Sequence, residues 1–139
     1  MVDILIGHGE VGSALYGVLS ERRRIAIHDP AKGYDAPLPG ENTIEWMHVA
    51  IPYTNSFIED VLVYRNRFFP RFIVIHSTVP VGTTRKLCEQ MGPHGNGEFG
   101  SLYVYYSPIR GLHPHLARYI REFPKWYASE WVGNADAAF

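Results

Sequence analysis

Apolar residues fall along this chain in short runs, separated by stretches in which they recur at helical spacing. Val2–Ile6 is a run broken by one polar residue and reads as a buried strand. Val11, Ala14, Leu15, Val18 and Leu19 then recur at i, i+3, i+4, i+7 and i+8, which is one face of a helix. Arg22, Arg23 and Arg24 read as the end of that helix, where cations suit the negative end of its dipole, and Ile25–His28 reads as a second strand. A loop rich in Pro and Gly over 30–42 leads to a third strand over 44–51. Asn55 or Ser56 stands where it caps a helix whose apolar side is Phe57, Ile58, Val61, Leu62 and Phe68, and Pro70 ends it. Phe72–Ile75 is unbroken and apolar, as a central strand requires. A helix over 84–91, a turn over 92–100, a strand over Leu102–Tyr106, a helix over 115–122 and a strand over 126–132 complete the series.

Strands that alternate with helices in this way are βαβ units, so the expected fold class is α/β. The layout predicted is a Rossmann-like, doubly wound, mainly parallel sheet of six strands in the order 3-2-1-4-5-6, with helices on both faces. A chain of 139 residues suits one domain, 1–139, and no repeat or internal boundary divides it. A hydrophobic share of 46% supplies a core without help from metals or disulfides. The net charge of −1 argues against a nucleic-acid partner. Arg65, Arg67 and Arg71, around Phe68-Phe69-Pro70, read as a solvated helix end. Cys88 is the single cysteine, which excludes an intrachain disulfide and fits a reducing compartment. No basic leader opens the chain and no apolar run approaches the roughly 18 residues of a membrane span, so a cytoplasmic protein with no membrane partner is expected.

Gly7-His8-Gly9-Glu10-Val11-Gly12 is a GxGxxG, and its context gives it weight. It leaves a strand, opens an amphipathic helix, and is followed by Asp29 at the end of the second strand, seventeen positions beyond Gly12. Gly7 permits the tight turn, Gly9 admits a pyrophosphate to the backbone, and Gly12 lets the helix lie close on the sheet. The free N–H groups at the helix start favour phosphates. Asp29 suits the ribose hydroxyls and repels a 2′-phosphate, which favours NAD over NADP, although Lys32 nearby tempers that choice. His8 and Glu10 occupy the variable positions of the motif and read first as solvated loop residues.

His76-Ser77-Thr78-Val79-Pro80-Val81-Gly82-Thr83-Thr84-Arg85 resembles the stretch that ends the fourth strand in the UDP-glucose/GDP-mannose dehydrogenase family. The glycine loop, the Pro52 turn and the Ser107-Pro108 pair fall at that family's spacing, so the resemblance spans nearly the whole chain. What it matches is the family's N-terminal NAD-binding domain; the C-terminal substrate domain has no counterpart here. The resemblance implies that Gly7, His8, Gly9, Glu10, Val11 and Gly12 surround the pyrophosphate, and that Asp29 and Pro30 meet the adenosine ribose. It further implies that Ile51, Pro52 and Tyr53 line the adenosine side, and that Ser77, Thr78 and Val79 lie near the nicotinamide. For Ser77 and Thr78 a helix-entry turn with local hydrogen bonds is the alternative.

The chain departs from the family where chemistry is concerned. The family's Asn-Pro-Glu is Ser107-Pro108-Ile109 here, so its glutamate is absent, and its nucleophilic cysteine and its lysine have no counterpart. Cys88 falls inside a helix and reads as a small buried apolar residue. Ser107, Arg110 and His113 are the candidates for chemistry in the loop that stands in place of the glutamate. The same residues suit a turn before a short helix, and no acid adjacent in sequence orients either His113 or His115. Spacing of i, i+2 without partners falls short of a metal site, and none is expected. Three readings stay open: the NAD-binding part of a nucleotide-sugar-dehydrogenase-like oxidoreductase, a non-catalytic dinucleotide-binding or regulatory module, and a small stand-alone NAD-dependent reductase. Trp126, Tyr127, Trp131 and Val132 crowd the last strand, an edge that a homodimer would cover.

Overall fold

Residues with β-branched or aromatic side chains form the strands Val2–Ile6 (β1), Ile25–His28 (β2), Ile44–Val49 (β3), Phe72–Ile75 (β4), Leu102–Tyr106 (β5) and Ala128–Val132 (β6). The stretches of helical period form Glu10–Leu19 (α1), Phe57–Phe68 (α2), Thr83–Met91 (α3) and Leu116–Glu122 (α4), with a 3-10 turn at Pro30–Lys32. This computed structural model describes residues 2–36, 44–91 and 102–132. The turn expected over 92–100 and most of the loop beyond Ala36 lie outside the described residues.

The six strands make one sheet in the order β2-β1-β3-β4-β5-β6, parallel except for the antiparallel β5–β6 pair. This corrects the expected order 3-2-1-4-5-6, because β3 pairs with β1 and not with β2. The burial of the two strands fits the observed order: β3 carries fully buried Met47 and Val49, as an inner strand does, whereas Ile25, Ala26 and Ile27 of β2 are half-buried and suit an edge. Successive strands are added to one side of β1 with β2 and to the other from β3 on, which makes the gap between β1 and β3 the topological switch point.

Side chains alternate across the sheet. Ile4, Ile6, Met47, Val49, Ile73, Ile75 and Val104 face Phe57, Val61 and Phe68 of α2 and Leu87 of α3, and together they form the main core, against which Cys88 packs. The connections β1-α1-β2 and β3-α2-β4 step in opposite directions, so right-handed crossovers put α1 on the other face. There α1 packs against α4. The in-register row on that face, Leu5, His48, Val74 and Tyr105, is more polar.

Several boundaries differ from expectation. α1 ends at Leu19, and Arg22 and Arg23 lie in the turn beyond it, their N–H groups both donating to Leu19 O. Arg23 therefore does not serve the helix dipole. Its guanidinium ion-pairs with Asp3 of β1 and Glu45 of β3, and Nη2 donates to Asp3 Oδ1 at 2.9 Å, tying two strands at their N-terminal ends. β3 stops at Val49 and β6 starts at Ala128, leaving Trp126 and Tyr127 before the strand and about 70% exposed. The side chains of Trp131 and Val132 lie outside the described residues. Arg67 ion-pairs with Asp35, and Arg67 and Arg71 lie over the rings of Phe68 and Phe72, so these arginines cover aromatic surface.

A polar chain crosses the sheet beneath α1 and α4. His76 Nδ1–H donates to Ser107 O at 2.8 Å, and His48 Nδ1–H donates to His76 Nε2 at 3.0 Å. These directions follow because a carbonyl only accepts and because burial, with the charges of His48 and Lys125, holds the His76 pKa well below its ordinary value, leaving the ring neutral. His48 Nε2 in turn faces Asp3 Oδ2 at 3.9 Å. Burial pushes the Asp3 carboxyl up, yet His48 and Arg23 outweigh it and hold the pKa below the usual carboxylate value. A carboxyl depressed in the folded state contributes stability above its unfolded pKa and loses it as pH falls through the folded value. Asp3→Asn is therefore expected to flatten the loss of stability of the wild-type chain between about pH 5 and pH 3, measured by urea unfolding. Arg23→Ala, which strands a buried carboxylate but removes a partly exposed partner, is expected to cost about 2 kcal/mol at pH 7. A cost near zero would show that the pair is not a strand tie.

Candidate functional site

The C-terminal ends of β1, β2, β3 and β4 surround a cleft of about 510 Å³ at the switch point, within the size range of small-molecule sites. Gly7, Gly9, Glu10 and Val11 line it from β1 and α1, His28, Asp29, Pro30 and Lys32 from β2 and its turn. Ile51, Pro52 and Tyr53 line it after β3, and Ser77 and Thr78 after β4. Most residues expected to meet a dinucleotide therefore share one cavity. Three do not line it. Gly12 lies beneath the helix, Val79 packs against the core, and the His8 ring sits edge-on to Tyr16 and Tyr34. Tyr64 of α2 and the buried His28 complete the wall, and neither was singled out by the sequence pattern. Burial and the charge of Arg67 lower the His28 pKa, partly offset by Asp35 and Asp29, so this wall is neutral near pH 7.

The three motif glycines do three different things. Gly7 has φ +89°, and a Cβ there would lie 2.7 Å from Ala50 O, so the turn requires glycine twice over. At Gly12 a Cβ would overlap the carbonyl oxygen of Gly7, because the first turn of α1 rests on that carbonyl. Gly9 is different. It has φ −74° and ψ −161°, which any residue adopts, and a Cβ there would meet no protein atom within 4 Å. The space it leaves lies before the first turn of α1, whose leading N–H groups have no partner within the helix.

The peptide groups of His8 hold the rim of the cleft together. His8 N–H donates to Asp29 Oδ2 at 2.8 Å, and its carbonyl accepts from Lys32 Nζ at 2.7 Å. Asp29 Oδ1 has no hydrogen-bond partner among the described residues. One carboxylate oxygen is thus fixed by the backbone while the other is available at the cleft wall. Across the cleft the Ser77 hydroxyl donates to Ile51 O at 2.6 Å, joining the loops after β3 and β4, and Thr78 is exposed. This is not the local hydrogen bond of a helix-entry turn, since the partner of Ser77 lies on another loop.

The loop after β5 carries the candidates for chemistry, and they diverge. Ser107 is buried, its hydroxyl donates to Trp126 O at 2.8 Å, and its carbonyl accepts from His76 and from Lys125 Nζ at 3.0 Å. Both groups are engaged by the fold. Arg110 is exposed and, with Tyr119 and Lys125, lines a second, much smaller cavity. The ammonium of Lys125 is tucked against two carbonyls with no acid beside it, and burial lowers its pKa to about 8. His113 reaches back to the cleft, where Nδ1 ion-pairs with Glu10 Oε1. That partner lies over a hundred positions away in the chain, so no local pattern signalled it. Among the described residues no three His, Cys, Asp or Glu side chains gather as a metal set, and no helix is long and apolar enough to cross a membrane.

No family model, no curated protein and no solved structure matches the chain. The functional reading accordingly rests on the geometry of the cleft. If Gly12 carries α1 against the sheet as described, Gly12→Ala should cost at least about 3 kcal/mol, since the overlap is with backbone that cannot rotate away. Thermal unfolding followed by circular dichroism checks this, and a variant within a degree of the wild type would refute the close contact.

Proposed function

We propose that the cleft binds a nicotinamide dinucleotide, NAD in preference to NADP, and that the chain is the cofactor domain of an oxidoreductase resembling the nucleotide-sugar dehydrogenases. The observation that carries this reading is Gly9. The protein itself places no steric or conformational demand on that position, yet glycine there leaves open space before the first turn of α1, whose leading N–H groups have no partner within the helix. Gly7, Gly9 and Val11 would hold the pyrophosphate there. Asp29, with one oxygen fixed by His8 N–H, would accept from the adenosine ribose through the other. Its charge disfavours a 2′-phosphate, and the ammonium of Lys32 is engaged by the His8 carbonyl. Ile51, Pro52, Tyr53 and Tyr64 supply apolar walls, and Thr78 stands at the nicotinamide end. When bound, the nicotinamide supplies a hydride donor or acceptor, and the residues of the chain orient it.

Calorimetric titration with NAD, NADH and NADPH tests the proposal. Dissociation constants of roughly 1–100 μM for NAD or NADH are expected, about −8 to −5 kcal/mol, with NADPH at least tenfold weaker. Gly9→Ala should retain the wild-type melting temperature while losing at least tenfold in affinity, because its methyl group fills the seat of the phosphates and touches nothing else. Asp29→Ala should narrow the gap between NADH and NADPH. A folded chain that binds none of the three, or a Gly9→Ala variant that binds as the wild type does, would overturn the reading.

A further inference from the structure

We infer that Glu10 and His113 form an acid–base dyad at the mouth of the cleft, Glu10 as the positioning residue and His113 as the group that exchanges a proton with the bound ligand. The inference rests on the dinucleotide reading and adds to it a source of chemistry within this chain, in place of the glutamate that the loop after β5 lacks.

Glu10 is the first residue of α1 and lines the cleft, and its carboxylate is in ion-pair contact with His113 Nδ1. A carboxylate there gains from the helix dipole, but it also sets a negative charge beside the seat proposed for the phosphates. A site built only to hold phosphates is weakened by it. A carboxylate only accepts, so Nδ1 of His113 carries the hydrogen toward Glu10, and the ring in its neutral form presents a lone pair at Nε2. Among the described residues no donor or acceptor reaches Nε2, and the His113 side chain is 58% exposed. An acid that fixes one imidazole nitrogen so that the other faces a reacting group is the arrangement general-base chemistry requires. Glu10 is the one charged residue of α1. The other charged or titratable groups near the loop are Arg110 and His115 beside it and Arg118 of α4, which is paired with Glu122.

The substrate class this implies is an alcohol or its carbonyl counterpart. In the oxidative direction the O–H bond breaks toward His113 Nε2 as the carbonyl forms. An oxidised nicotinamide dinucleotide, where bound, would take the hydride of the adjacent C–H bond, so that the alcohol would be oxidised and the dinucleotide reduced. The resulting imidazolium is stabilised by Glu10.

Two measurements on the full chain test the dyad. Nitrogen NMR of the histidine rings above their titration should show His113 as the Nδ1–H tautomer, and Glu10→Ala should return it to the Nε2–H form that predominates in free histidine. Carbethoxylation by diethyl pyrocarbonate, followed residue by residue by mass spectrometry, should be slowed at least threefold at His113 by saturating NADH, with His115 little changed. NADH occupancy is established in the same samples by calorimetry. Bound NADH with unchanged labelling of His113, or a tautomer indifferent to Glu10→Ala, overturns the dyad and leaves the dinucleotide reading standing. A folded chain that does not bind NADH overturns both.

Discussion

The site depends on how closely the first turn of α1 lies on the carbonyl of Gly7. That contact excludes any side chain at Gly12 and fixes the helix axis relative to β1, so the unpaired N–H groups point into the switch point between β1 and β3. The turn that makes it possible leaves His8 spanning the gap, and both of its peptide groups are used at once, N–H by Asp29 and carbonyl by Lys32. The loops after β1 and β2 are therefore one rigid rim. A carboxylate held in this way keeps one oxygen free without rotamer freedom to lose on binding, which is how preorganisation favours affinity.

The strand order alters the shape of this rim more than its chemistry. With β3 beside β1, the cleft opens between two inner strands, and the Asp29 side is bounded by the Pro30–Lys32 turn where an outer strand and its helix were expected. The switch point lies beside β1 in either order, because the strands added first run outward from one side of β1 and the later ones from the other, whether one strand or two stand on the short side. That is why residues assigned to a dinucleotide on the 3-2-1 expectation still meet at one cavity.

All six strands and four helices were legible because their signals are local: a continuous apolar run in a doubly covered parallel strand, a helical recurrence in α1, glycine at a strand-to-helix turn. Val2–Ile6, Ile25–His28 and Phe72–Ile75 needed nothing further. The order of strands was not legible. Whether β3 pairs with β1 or β2 depends on the crossover, and the proline-rich segment that makes it has no periodicity to read. The three arginines after α1 show the same limit. Charge and position suggested a helix end, whereas Arg23 spends its charge on Asp3 and Glu45, partners on strands remote in sequence. Of the site, the glycine loop and Asp29 were visible, while Tyr64, His28 and the Glu10–His113 contact arise from elements that meet only in the fold.

The two faces of the sheet explain how the loop after β5 is held in place. The face under α2 and α3 carries the main apolar core, with the ring of His28 against Tyr64 and Phe68 at its β2 edge. The other face carries Asp3, His48 and His76, groups whose burial is costly unless each is paired. Asp3 is paired with Arg23, the hydrogen bonds of the two histidines run to the carbonyl of Ser107, and the next contact outward, from Ile109 N–H to His76 O at 3.5 Å, lies in the same loop. Lys125 adds a second donor to Ser107 O from the strand-six side. The backbone from Ser107 to Ile109 is thus positioned by its own carbonyl and N–H groups, and not by the side chain at 109. Beyond it, His113 meets Glu10 of α1, so a side chain of the loop after β5 reaches the helix that opens the cleft through a contact between elements remote in sequence.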